Sequence, residues 1–240
     1  MRPSILNPIF TEVEALKGVG PNLAKPLRKL AITRVVDALF HLPTGTVVRR
    51  AVDALRTSDA GSNVIVALTP VEYRSGRSVR APFRVEARDG EGNMVSLVYF
   101  GRNGGWAKKL FPLGEERIVS GKLEAYGDSL QIIHPDHVVE PGEGAAALPL
   151  SEPVYPLSEG LTSRRMAQLA HAALERAPQL PEWIEPSLLA QQGWPGWNDA
   201  IVRAHAEPAD AKARERLAYD EVFANQLALT LVRASSRKRR

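Results

Sequence analysis

The 240-residue sequence contains no cysteine, which excludes disulfides, thiolate zinc sites and a cysteine nucleophile. It has no apolar run near the ~20 residues that span a bilayer, and its first residues carry no signal-peptide core. No Gly-x-x-x-x-Gly-Lys-Ser/Thr occurs, since Gly121-Lys122 is followed by Leu123 in a strand-like run. No nucleophile–base pair stands out either. His134-Pro135-Asp136-His137 offers two histidines with no third ligand near in sequence. The expectation is therefore no catalytic residue, no metal and a cytoplasmic location.

What is present is ordinary for a globular chain: 44% hydrophobic and 24% charged residues, enough for a sizeable core. Eighteen prolines and eighteen glycines point to many short elements. The centre, residues 60–140, reads as strands at Val64–Val71, Ser78–Arg88, Asn93–Phe100, Glu116–Leu123 and Ser129–Ile133. Ser75-Gly76, Asp89-Gly90-Glu91-Gly92 and Tyr126-Gly127-Asp128 supply the turns. Trp106–Phe111 has helical spacing between the third and fourth strands. Three strands, a short helix and two strands make the order of an OB-fold barrel, a fold that binds single strands with aromatics and cations.

Charge is unevenly spread. Residues 1–59 and 210–240 each carry a net +4, residues 60–140 are neutral and residues 141–209 carry −4. Arg74, Arg77, Arg80 and Arg84 fall in one window without an acid, which suits phosphate contact or, equally, a solvated hairpin.

Before the barrel, residues 1–59 read as helical. Leu16-Lys17-Gly18-Val19-Gly20-Pro21 followed by Ala24 and Leu27 is a helix-hairpin-helix pattern, with Pro21 opening the second helix and Lys17 and Lys25 as phosphate contacts. A helical pair that only packs is the other reading. Pro26 bends or shortens that helix. Thr33 caps the next, which Pro43 ends. Residues 141–207 read as a Pro/Gly/Ala linker followed by short helices capped by Thr162 or Ser163, then at Trp183–Gln192 and Trp197–His205. Trp183, Trp194 and Trp197 read as core or docking residues, and Glu115-Glu116 and Asp220-Glu221 as solvated or capping pairs. Residues 208–240 form a long amphipathic helix with a Phe223, Leu227, Leu231 stripe, widened by Leu217, Val222, Leu229 and Val232. The fold class is α+β: helix-hairpin-helix-like helices, a five-stranded barrel and a C-terminal helical segment ending in a long helix.

Four stretches together resemble the N-terminal part of the RecG helicase family. They are Leu16–Pro21 with Asp37–Pro43; Tyr99-Phe100 with Val119-Ser120-Gly121-Lys122 and Ile133-His134-Pro135; Val154–Gly160; and Arg214–Phe223. The resemblance implies that the barrel is a wedge that splits the arms of branched DNA, a replication fork or Holliday junction, in repair and recombination. It also implies a chain that stops before the ATP-driven motor domains, inactive as an ATPase alone and needing no cofactor, with ATP and magnesium belonging to the motor.

The same resemblance implies base stacking by Phe100, with Tyr99 and Trp106 as further candidates, and phosphate contact by Arg74, Arg77, Arg80, Arg84, Arg102, Lys17 and Lys25. Relatives with a second stacking aromatic have it where this sequence has Gly104; Trp106 is either its substitute or, more commonly for such a position, a core residue. A monomer is expected, nucleoid-associated, touching branched and single-stranded DNA and a single-strand-binding protein. A free-standing single-strand binder and a protein–protein adaptor are the competing readings.

Overall fold

The computed structural model describes residues 2–75, 81–101, 104–127, 129–142 and 148–238. Along them run α1 (Pro21–Lys29), α2 (Val35–Leu39), β1 (Gly45–Ala51), β2 (Asn63–Ser75), β3 (Phe83–Arg88) and β4 (Met94–Tyr99). Then come α3 (Gly104–Leu110), β5 (Arg117–Tyr126), β6 (Ser129–Ile133), β7 (His137–Val139) and β8 (Ser151–Val154). Last are α4 (Ser163–Leu174), α5 (Pro186–Gln192), α6 (Trp197–Ala206) and α7 (Ala211–Lys238). They gather into two units, residues 47–152 and residues 1–46 with 153–240.

In the first unit β2 serves two partners. Asn63–Leu68 pairs antiparallel with β5, and Thr69–Ser75 pairs with β3, with an irregularity between Pro70 and Glu72. A proline suits that change of partner because it brings no N–H to the ladder. Strand β3 pairs with β4, β4 runs parallel to β6, and β6 returns antiparallel to β5. The circuit β2-β3-β4-β6-β5 is closed, with α3 inserted between β4 and β5. This is the expected OB barrel within an α+β fold. β1 and β7 extend it beside β2 and β5.

Period-two alternation fills the barrel. Val64, Val66 and Leu68, then Phe83, Val85 and Ala87, then Val95, Leu97 and Tyr99 point inward, joined by Val119, Leu123, Leu130 and Ile132. Ala107 and Phe111, at and just beyond α3, are fully buried against them. At the β3–β4 turn, Asp89 accepts hydrogen bonds from the Leu55, Glu91 and Asn93 amides at 2.8–3.0 Å. Burial would raise its pKa, but these bonds hold it below the usual value. Gly121 occupies the inward position between Val119 and Leu123. A Cβ there would lie 2.5 Å from Ile132 Cγ2 and 3.3 Å from Pro135 Cα.

The second unit is helical and has its own core, from Ile9, Leu27, Val35 and Leu39 to Met166, Ala170, Ile201 and Leu217. Several expectations are corrected in it. The element before Gly18 is a single 3-10 turn, Val13–Ala15, because too few residues separate Glu12 from Leu16 for a helix. Arg34, not Thr33, is the N-cap of α2, since Asp37 reaches back to accept from Thr33 N, Thr33 Oγ1 and Arg34 N. That helix ends at Leu39, before Pro43. Pro26 is accommodated inside α1, buried, with its carbonyl accepting from Ser158 Oγ at 2.7 Å.

Two polar clusters tie this unit together. Arg216 on α7 is completely buried, pairs with Glu182 at 2.8 Å and with Asp220, and lies 5.8 Å from the Trp183 ring. Asp220 also accepts from Trp183 Nε1 at 2.8 Å, so it is a member of the network around buried Arg216 and not a lone solvated acid. Trp183 stacks on Phe223 at 4.5 Å, which makes it a docking residue lying just before α5. Elsewhere the Tyr155 hydroxyl donates to His205 Nδ1 (2.9 Å), and His205 Nε2–H donates to the Leu39 carbonyl (2.8 Å). Beyond Glu221 the side of α7 is open: Val222, Phe223, Leu227, Leu229, Leu231 and Val232 are all exposed. No described helix is long and apolar enough to cross a membrane.

Two outcomes follow from these cores. Gly121→Ala should destabilise the barrel by about 1–3 kcal/mol, because an inward methyl meets Ile132 with no room to yield; denaturant unfolding of the variant checks this. Burial also lowers the His205 pKa below its ordinary 6.5. The unfolded chain then takes up the proton first, so stability falls as pH drops below about 6.5. His205→Gln, which can still accept from Tyr155 and donate to Leu39, should flatten the melting-temperature loss between about pH 7 and pH 5.

Candidate nucleic-acid interface

At the end of β4 stand two adjacent aromatics, its last residue Tyr99 and the next residue Phe100, which alternation sends opposite ways. Tyr99 is 1% exposed and Phe100 is 48% exposed. Tyr99 is therefore a core ring, and its assignment as a stacking surface is corrected. Its hydroxyl has no hydrogen-bond partner among the described residues, and burial raises its pKa.

Around Tyr99 stand three other rings. Trp106 meets it edge-on at 5.8 Å, Phe111 at 6.2 Å and His134 edge-on at 5.6 Å. His134 in turn lies 5.8 Å from Phe100, and its Nε2 accepts the Phe100 backbone N–H at 3.2 Å. Trp106 is 56% exposed, which overturns the reading of it as core. The reason is helical phase: Ala107 and Phe111, four apart, take the buried side of α3. One buried tyrosine thus carries an exposed ring on a helix and, through His134, an exposed ring at a strand end.

Cations flank these rings. Lys108 and Lys109 follow Trp106 on α3, both exposed, and Lys108 Nζ lies 5.3 Å from the Tyr73 ring centroid. The sequence reading missed both lysines as candidate contacts, although an exposed helix bearing Trp-Ala-Lys-Lys carried the signal. Arg74 is exposed and bonded to Glu72 at 3.0–3.1 Å, opposite half-buried Arg84 in register. Any phosphate at Arg74 has to share it with Glu72. Arg77, Arg80 and Arg102 lie outside the described residues. Lys17 and Lys25 are exposed in the helical unit, Lys17 beside Gly18, whose φ is +87°. The histidines of the His134–His137 stretch serve different partners, since His137 Nε2 lies 3.2 Å from Glu152, itself paired with buried Arg49 at 2.7 Å. Burial would raise the Glu152 pKa, but the bonds from His137 and Arg49 lower it.

The chain matches the family described as the RecG wedge domain over residues 12–176. The chain belongs to the RecG wedge domain family. It is 31% identical over 232 residues to the ATP-dependent DNA helicase RecG of Acidithiobacillus ferridurans, covering 94% of this chain and 33% of that one. With the RecG of Thermotoga maritima it shares 30% identity over 243 residues, 96% of this chain and 30% of the relative. A solved structure of RecG bound to a three-way DNA junction superimposes with a TM-score of 0.66 at 26% identity, covering 96% of this chain and 32% of that chain. The chain thus spans about a third of the length of the RecG proteins it matches.

The orphaned Tyr99 hydroxyl gives a direct check on the core assignment. An unsatisfied buried polar group is destabilising, so Tyr99→Phe should keep or raise stability by up to about 1–3 kcal/mol. Tyr99→Ala should lose about 3–5 kcal/mol by opening a cavity. Thermal unfolding of the two variants is the measurement, and a large loss in Tyr99→Phe would contradict the placement.

Proposed function

We propose that this chain binds branched DNA, a fork or Holliday junction, and that its barrel is the wedge at which the arms part. The observation that carries the reading is the half-exposed Phe100 ring at the end of β4, held beside His134 in a barrel of the RecG wedge family. Phe100 stacks on the first unpaired base, and Trp106 supplies a second ring from α3. Lys108, Lys109, Arg74 and Arg84 on the barrel meet phosphates, as do Arg77, Arg80 and Arg102 outside the described residues, and Lys17 and Lys25 on the helical unit. Binding by this chain needs neither ATP nor magnesium, because base stacking and phosphate pairing require no nucleotide. These 240 residues hold no Gly-x-x-x-x-Gly-Lys-Ser/Thr, so ATP-driven remodelling is not part of the reading. The same reading gives a monomer, cytoplasmic and nucleoid-associated, that meets single-stranded DNA and a single-strand-binding protein at the fork.

The test compares fork, Holliday junction, blunt duplex and single strand of equal length. Phe100→Ala should weaken fork binding by about 5- to 150-fold, the equivalent of the ~1–3 kcal/mol that one base–aromatic stack contributes. Blunt duplex binding should hardly change, and the melting temperature should move little because the ring is half out of the core. Trp106→Ala should act in the same direction. Equal loss on every ligand, or a large fall in melting temperature, would reject Phe100 as the wedge. No DNA affinity at low salt would favour an adaptor.

A further inference from the structure

We propose that His134 is the positioning residue of the wedge, holding the Phe100 ring in its outward pose; the proposal rests on Phe100 being the stacking residue. Three features of His134 converge on this role. Its backbone is left-handed, φ +47°, a conformation that few side chains other than Asn, Asp and His adopt. Its N–H donates to the Val98 carbonyl at 2.9 Å, one step beyond the last parallel pair, Val98 with Ile133. Its side chain then turns back over β4, where Nε2 accepts the Phe100 N–H and the ring packs at 5.8 Å from Phe100 and 5.6 Å from Tyr99.

The geometry explains why a histidine stands there. Phe100 is the first residue past the end of β4, where the β3 ladder has closed at the Phe83–Tyr99 pair. The His134 imidazole supplies an acceptor for the next amide and a wall for its ring. The turn that aims this side chain is itself tightly set. Pro135 follows immediately and passes 3.3 Å from where a Gly121 Cβ would be, and Asp136 N donates to the Ser120 carbonyl at 2.8 Å. The barrel's lack of space at Gly121 thus fixes the residue that orients Phe100. A ring already ordered before DNA arrives loses less freedom on stacking, so its affinity is higher.

His134→Asn keeps a residue that tolerates the left-handed backbone but removes the ring and the acceptor at Nε2 reach. His134→Gln restores an acceptor at about that reach. A double-mutant cycle with Phe100→Ala is read on fork and on blunt duplex, with melting temperature as the folding control. His134→Asn should weaken fork binding by about 2- to 10-fold, the range expected for one side chain left to be ordered on binding. It should leave duplex binding unchanged and add nothing in the Phe100→Ala background, and His134→Gln should recover part of the loss. Equal losses in both backgrounds, a matching loss on duplex, or no loss where Phe100→Ala shows one would overturn the proposal and leave the wedge reading standing. A Phe100→Ala variant without a selective fork defect would overturn both.

Discussion

Closing five strands into a barrel pairs each of them on two sides and fixes which way each side chain points, and the features of the candidate site descend from that constraint. Because Val95, Leu97 and Tyr99 take the interior phase of β4, the next residue, Phe100, is sent outward. Because the interior is full where β5 crosses β6, position 121 holds a glycine, and Pro135 can pass closely over it. That close passage sets the turn at His134, whose imidazole reaches the Phe100 amide. Packing inside the barrel and the pose of a ring outside it are therefore one problem.

The helical unit depends on a different kind of contact. Arg216 is fully buried on α7, and its charge is matched by Glu182 and Asp220 and by the face of Trp183. Burial would push the Glu182 carboxyl up, but the Ile184 and Trp197 amides and Arg216 hold its pKa below the usual value. Removing one partner from such a cluster leaves an uncompensated buried charge, which typically costs about 3–5 kcal/mol, far more than a surface pair contributes. The cluster anchors the first turns of α7, and the exposed apolar residues begin at Val222.

The fold was legible where a physical period was uninterrupted. Val64–Leu68 is an unbroken apolar, β-branched run, Phe83–Ala87 alternates cleanly, glycine-bearing turns separate the strands, and α3 falls where an OB barrel places its helix. The run Leu97-Val98-Tyr99-Phe100 hid its phase because all four residues are apolar. Ser96, one polar residue on the outward side, carries the parity that sends Phe100 out and Tyr99 in. Trp106 was left between a stacking and a core reading for a related reason: the buried side of a short helix is set by the small Ala107 and by Phe111, and residue size is a poor guide to phase. Arg216 and Asp220 were not legible at all, since nothing in a charged helical stretch distinguishes a buried pair from a solvated one. The role of His134 depends on a left-handed backbone that sequence does not announce.

The position of the proposed second stacking ring follows from the same packing. An ideal Cβ on Gly104 would lie 3.1 Å from Phe83 Cδ2 and 3.4 Å from its Cγ. Phe83 cannot easily give way, because it is buried and stands opposite Tyr99 in the β3–β4 register. An aromatic at position 104 would thus press on the core of this barrel. Two residues later, on the exposed side of α3, Trp106 presents its ring to solvent and its edge to Tyr99 without that conflict. The position of Trp106 has a chemical consequence. A ring on α3 shares a rigid two-turn element with Lys108 and Lys109, so stacking and phosphate pairing would be delivered together. Both would rest on the burial of Ala107 and Phe111 that seats this helix on the barrel.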